Sequence, residues 1–242
     1  MRRKILMIFF LVFIFPSLAL ADEYVLVKGK GIEVCEEYGK NLNSLVLKEY
    51  MVCERKINPK FTDFKKPEWQ EIDLWKNREF LRKVECFLGL QSTFGDPDKN
   101  LQEWEKFLKW RLKDNATTIM IARVDIDNDG KDENVIKYFD GRCPAGKHFG
   151  IAILVLNEDK SEIDIKKTTP LLQNLRVINK SLTEGWEFSM YDVFSYKNKI
   201  YFDRWSESFD QTGYLKIFMT KSEGGLNVLT EEICRYRYKT EK

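Results

Sequence analysis

The amino-acid sequence predicts an α+β fold, with N-terminal helices followed by an antiparallel β meander. Three observations carry this. Apolar residues recur at three- and four-residue steps as far as Lys113, the chain turns rich in β-branched residues after Ala116, and turn-forming residues separate the later apolar runs. Residues 22–115 are therefore expected to be mainly helical and residues 116–242 mainly antiparallel β, together within one compact domain spanning 22–242.

Residues 1–21 stand apart. Met1-Arg2-Arg3-Lys4 is followed by an apolar run from Ile5 to Phe15, a break at Pro16, and Ala19-Leu20-Ala21. This is the pattern of a secretory signal peptide cleaved after Ala21, and the run is shorter than the roughly 20 apolar residues that span a bilayer. The expected product is soluble and periplasmic or secreted, with no membrane span after signal cleavage. Without Arg2, Arg3 and Lys4 the 40 basic residues become 37 against 38 acidic, a net charge of −1. A balanced surface argues against nucleic acid, whose phosphates call for clustered Lys and Arg.

Val34, Tyr38, Leu42, Leu45 and Val46 predict a helix over 33–50. Residues 54–72, with Pro59, Pro67 and scattered aromatics, read as an ordered connection. Phe80, Leu81, Val84, Phe87 and Leu88 place a second helix over 73–88, and Phe94-Gly-Asp-Pro97 makes a turn. Leu101, Trp104, Phe107, Leu108, Arg111 and Leu112 place a third over 100–113. Trp110 lies off that stripe beside Lys106, Lys109 and Lys113, but Glu103 and Glu105 dilute the basic face, so a packed surface helix is expected. Strands are expected at 117–124, 134–139, 150–156, 186–196, 200–205, 214–220 and within 226–238. Lys197-Asn198-Lys199 and Gly224-Gly225 are the expected hairpin tips.

All five cysteines follow the leader, where an oxidising compartment permits bridges. Pairing Cys35 with Cys53 closes a short loop around the first helix, and pairing Cys143 with Cys234 joins an early β loop to the last strand. Sequence alone does not select among the fifteen patterns that five cysteines allow. The remaining Cys86, beside Glu79 and Arg82 on the second helix, is a candidate for an intermolecular disulfide if exposed.

Asp125-Ile-Asp127-Asn-Asp129-Gly130-Lys131-Asp132-Glu133 concentrates five acids in nine residues. Two carboxylates about 5 Å apart repel by roughly 3 kcal/mol at an effective dielectric constant of 20. A hard divalent cation relieves that repulsion, and calcium accepts six to eight oxygens in flexible geometry. Gly130 supplies the positive φ that folds the loop back. An EF-hand would place a Glu where Ile136 stands, and its flanks would be helical rather than strand-like. The pattern D-x-D-x-D-G-x-x-[DE] between strands instead resembles the calcium hairpins of FG-GAP repeats in integrin-type propellers and related secreted proteins. The resemblance covers about twenty residues. It implies calcium held by side-chain oxygens of Asp125, Asp127 and Asp129, the Lys131 carbonyl and the Glu133 carboxylate, with Asp132 facing solvent. No internal repeat supports a propeller.

Catalytic signatures are sparse. His148 is the one histidine, near Cys143, and no G-x-S-x-G, H-E-x-x-H or phosphate-binding glycine loop occurs. Asp192, Asp203, Glu207 and Asp210 lie among Tyr191, Tyr201, Trp205, Phe209 and Tyr214, and paired acids on aromatic platforms suit a glycan hydrolase acting through region 191–214. The same surface suits noncatalytic binding of a glycan or protein. The expectation is an exported, non-enzymatic binding or envelope-associated factor with a structural calcium site and an unknown protein or glycan ligand, with the hydrolase as its alternative.

Overall fold

The computed structural model describes residues 23–45, 56–89, 100–114, 117–140, 150–172, 177–178, 181–182, 189–206, 214–223 and 227–239. The expected leader at 1–21, Cys53, Cys143, His148, Glu207, Phe209, Asp210 and the turns expected at 94–97 and 224–225 lie outside them. The helices are α1 (Glu33–Ser44), α2 (Arg78–Phe87), α3 (Leu101–Lys113) and α4 (Ile165–Leu171). The longer strands are β1 (Glu23–Lys28), β4 (Thr117–Val124), β5 (Glu133–Asp140), β6 (Gly150–Leu156), β9 (Ser189–Tyr196), β10 (Lys199–Ser206), β11 (Tyr214–Glu223) and β12 (Asn227–Lys239). Four two-residue strands complete the set: β2 (Phe64–Lys65), β3 (Gln70–Glu71), β7 (Val177–Ile178) and β8 (Ser181–Leu182).

Ten strands form one mixed sheet in the order β1-β12-β11-β10-β9-β6-β5-β4-β3, with β2 also paired to β9. The fold is therefore mainly β, which overturns the expected helices-then-meander. The first described element is a strand, not a helix. Glu23-Tyr-Val-Leu-Val-Lys28 pairs antiparallel with β12, Tyr24 opposite Tyr238. Nor is the sheet a pure meander, because β6 runs parallel to β9 through Ile151 and Met190. Parallel neighbours cannot share a tight turn and need a long crossover, and the segment between them contains α4. That helix escaped the sequence because it is short, β-branched at Ile165, Thr168 and Thr169, and interrupted by Pro170. Among the described residues no helix is long and apolar enough to cross a membrane.

Elsewhere local chemistry sets the elements. Glu33 and Glu36 favour the start of α1 through its dipole. The Asn100 side chain accepts from the Glu103 amide at 3.2 Å and starts α3. Lys197 and Asn198, at φ 48° and 63°, form the two-residue tip between β9 and β10, where a tight hairpin demands positive φ.

Successive residues of the central strands serve different cores, as strand alternation requires. Phe194, Tyr201 and Ile217 pack with Val34, Tyr38 and Leu42 of α1. Their neighbours Val193, Phe202 and Phe218 join a larger cluster with Leu81 and Val84 of α2 and Leu108 of α3. Every residue of β6 is buried, as expected for a strand covered on both faces. Arg111, which falls on the apolar stripe of α3, has a partner there: its guanidinium lies 2.7 Å from Glu85 of α2, and both side chains are buried. Trp104 Nε1 and the Tyr138 hydroxyl donate to the same carboxylate at 2.6 and 3.2 Å.

One disulfide joins Cys35 of α1 to Cys234 of β12, with Cα atoms 5.5 Å apart. This replaces the expected pairings of Cys35 with Cys53 and of Cys234 with Cys143. The β1–β12 pairing brings the start and the end of the sheet under α1, so residues 199 apart in sequence become neighbours. Gly29 makes room for the bridge: at φ 94° a Cβ would sit 2.6 Å from the Cys35 sulfur. The bridge is buried and intramolecular, and Cys86 is half-buried, so neither supports the expected intermolecular disulfide.

Candidate metal centre

The acidic segment forms the loop between β4 and β5, and its own carboxylates fold it. Asp125 accepts from the Asp129 amide at 2.9 Å through Oδ1 and from the Gly130 amide at 3.1 Å through Oδ2. Asp129 Oδ1 accepts from the Lys131 amide at 2.8 Å, and Glu133 Oε2 from the Ile126 amide at 3.1 Å. Asn128 and Gly130 take positive φ values of 56° and 91°. Asparagine and glycine are the residues that enter this region at lowest cost.

The loop is also fastened to distant strands. Asn128 acts as a two-sided plug, with Nδ2 donating to the carbonyls of Ile200 and Thr220 at 3.1 Å each and Oδ1 accepting from the Ile200 amide at 2.8 Å. The Ser222 amide donates to the Asp127 carbonyl at 3.1 Å, and the Thr220 hydroxyl donates to the Ile126 carbonyl. A loop from the β4–β5 hairpin is thereby tied to β10 and β11, on the far side of β6 and β9 in the sheet.

Three of the expected ligands converge. Asp125, Asp127 and Glu133 each offer a carboxylate oxygen within 4.8 Å of the others. Oxygens sharing one calcium at 2.3–2.6 Å lie at most about 5 Å apart, so the spacing fits. Asp127 is only 1 % exposed, and its Oδ1 has no hydrogen-bond partner among the described residues. A buried anionic oxygen without a partner is costly, and a hard cation would satisfy it. These three carboxylates would hold the ion, which would neutralise their repulsion and stiffen the loop. Asp129 is exposed and its carboxylate serves the turn; Lys131, expected to contribute its backbone carbonyl, has an exposed side chain. Asp132 is exposed, as expected.

Sequence reasoning missed Lys167 of α4. Its ammonium lies 3.0 Å from Asp127 Oδ2 and 2.7 Å from Glu133 Oε1. Burial raises the Glu133 carboxyl above its ordinary range, the Lys167 hydrogen bond opposes that, and the nearby Asp127 charge adds to it. Burial likewise raises Asp125, against the Gly130 and Asp129 amides. At Lys167 burial works downward, but the hydrogen bonds to Glu133 and Asp127 outweigh it and the ammonium is held above its usual range. Nothing local marks Lys167, which is one of two adjacent lysines 34 residues after Glu133.

Of the acids of region 191–214, Asp192 and Asp203 lie within the described residues, opposite each other across β9 and β10. Asp203 is fully buried and accepts from the Tyr38 hydroxyl at 2.5 Å. Asp192 is paired with Lys66 at 2.6 Å and Lys137 at 3.4 Å. No family model, curated protein or solved structure matches the chain, so the residues of the loop and its surroundings carry the functional reading.

Proposed function

We propose that this is an exported, non-enzymatic binding protein of the cell envelope or its surroundings, with a structural calcium ion clasping the β4–β5 loop to the rest of the sheet. The observation that carries the metal is the convergence of Asp125, Asp127 and Glu133 around the buried, partnerless Asp127 Oδ1. The likeness of the loop to FG-GAP calcium hairpins supports calcium over magnesium, which prefers to retain its waters. The leader pattern in residues 1–21 supports export, and an intramolecular disulfide is compatible with it. Because Asn128, Asp127 and Ile126 are tied to β10 and β11, an ion in this loop would stabilise the sheet as a whole. The ligand is a protein or glycan.

Thermal unfolding in calcium and in chelator tests the metal. Extracellular modules bind calcium with dissociation constants of about 10⁻⁴–10⁻³ M, so ~10 mM calcium adds about 1.4–2.7 kcal/mol, a rise of roughly 3–10 °C for a chain of this size. An unchanged melting temperature removes the calcium reading. Calcium-dependent capture of one component from envelope extract, lost on chelation, tests the binding role.

A further inference from the structure

We propose that Lys167 is a tethered competitor for the metal centre: its ammonium occupies the same carboxylates as the ion, so calcium enters only by displacing it. This rests on the calcium reading above and adds how that site is regulated.

The oxygens decide the matter. Glu133 Oε2 accepts from the Ile126 amide at 3.1 Å and Oε1 from the Lys167 ammonium at 2.7 Å, so an ion at Glu133 meets a carboxylate that Lys167 already neutralises. Asp127 has Oδ2 on Lys167 at 3.0 Å, and its Oδ1 meets no hydrogen-bond partner among the described residues. A metal bridging Asp127 and Glu133 therefore competes with Lys167 for the same two carboxylates, and two cations at this range repel each other strongly in a partly dry site.

Lys167 does not arrive there by chance rotation of a long side chain on a loose segment. Asp164 caps α4 by accepting from the Lys167 amide at 3.1 Å. The Thr168 hydroxyl accepts from the Val155 amide of β6 at 3.0 Å, and the Pro170 carbonyl accepts from the Thr230 hydroxyl of β12 at 2.9 Å. The helix is thus anchored on both sides of Lys167, and the ammonium is aimed at the loop by the framework. With the ammonium seated, the loop keeps a counter-charge when calcium is scarce. When calcium binds, the same ammonium is released toward solvent, to which its side chain is already 29 % exposed. Calcium affinity is weakened by the cost of that release, which moves half-occupancy to higher calcium.

Two measurements test it. Calcium titration by calorimetry compares the wild type with Lys167→Met and Lys167→Arg. Lys167→Met should bind on the order of tenfold tighter or more, because the competing charge is gone, while Lys167→Arg should not tighten. In the wild type, the rate of amine acetylation at Lys167, read by mass spectrometry, should rise several-fold on calcium addition, with exposed Lys76 unchanged. Equal affinities in wild type and Lys167→Met, or an acetylation rate at Lys167 unmoved by saturating calcium, overturn the competition and leave the metal centre standing. Absence of calcium binding in both the wild type and Lys167→Met overturns the metal centre and the competition with it. The acetylation measurement needs no variant, so it decides the matter even if Lys167→Met does not fold.

Discussion

Removing the Cys35–Cys234 bridge by the double change Cys35→Ala and Cys234→Ala should cost about 3–5 kcal/mol of unfolding free energy. The bridge closes a loop between residues 199 apart. Chain-entropy reasoning for a loop of that size gives about 18 cal/mol/K, or about 5 kcal/mol at 25 °C, lost from the unfolded ensemble. Residual compactness of the unfolded chain lowers that figure, since part of the freedom is already gone. Both sulfurs are fully buried, and alanine leaves a small cavity without introducing a buried hydroxyl. Urea unfolding followed by tryptophan fluorescence, without reductant, measures the difference, and non-reducing peptide mapping identifies the bonded pair. A loss below about 1 kcal/mol, or a cross-linked peptide joining Cys35 to Cys53, refutes the reasoning, because either would mean that α1 is not stapled to β12.

Three further outcomes are expected. Tyr191 is buried with a hydroxyl lacking a hydrogen-bond partner among the described residues, and burial pushes its phenol up to about 12 from an ordinary 10.0, with the nearby Arg204 charge opposing. A folded pKa above the unfolded one contributes stability that is complete below pH 10 and lost between 10 and 12. Tyr191→Phe should therefore be neutral to stabilising by about 1 kcal/mol at pH 7 and should shrink the alkaline loss; a clear destabilisation in chemical denaturation would show that the hydroxyl is satisfied. Arg111→Met should cost about 3–5 kcal/mol by stranding the Glu85 carboxylate, whereas Arg111→Met with Glu85→Met should cost less than the single change; a double variant less stable than the single one contradicts this. In chelator, Asp127→Asn should destabilise by about 1–3 kcal/mol because it breaks a buried ion pair with Lys167, while exposed Asp129→Asn should stay within about 0.5 kcal/mol. Equal melting shifts for the two would deny the difference in burial.

The loop illustrates how far one-dimensional reading reaches. Its carboxylates and Gly130 lie within nine residues of chain, and the folded loop holds carboxylate oxygens of Asp125, Asp127 and Glu133 within 4.8 Å of one another. Asp129 looks equivalent in the sequence, yet it is exposed and its carboxylate accepts from the Lys131 amide, closing the turn. Asn128 shows no special standing between its aspartates until Ile200 and Thr220 are placed beside it. Asp192 and Asp203, eleven residues apart in sequence, stand opposite each other across β9 and β10, where Asp203 meets Tyr38 of α1 and Asp192 meets Lys66 and Lys137.

Local signals therefore determined α1, α2 and α3, the long strands from β4 onward, the Lys197-Asn198 turn and the acidic hairpin, since periodicity, caps and positive φ are settled within a few residues of chain. Only the tertiary structure decided that the first strand pairs with the last, that β6 and β9 run parallel across α4, that Cys35 bonds Cys234, and that Lys167 sits among the carboxylates. Each of those is a contact between segments far apart in sequence. Its partner is selected by sheet order and burial of the whole chain, and neither leaves a mark in the residues on one side of the contact alone.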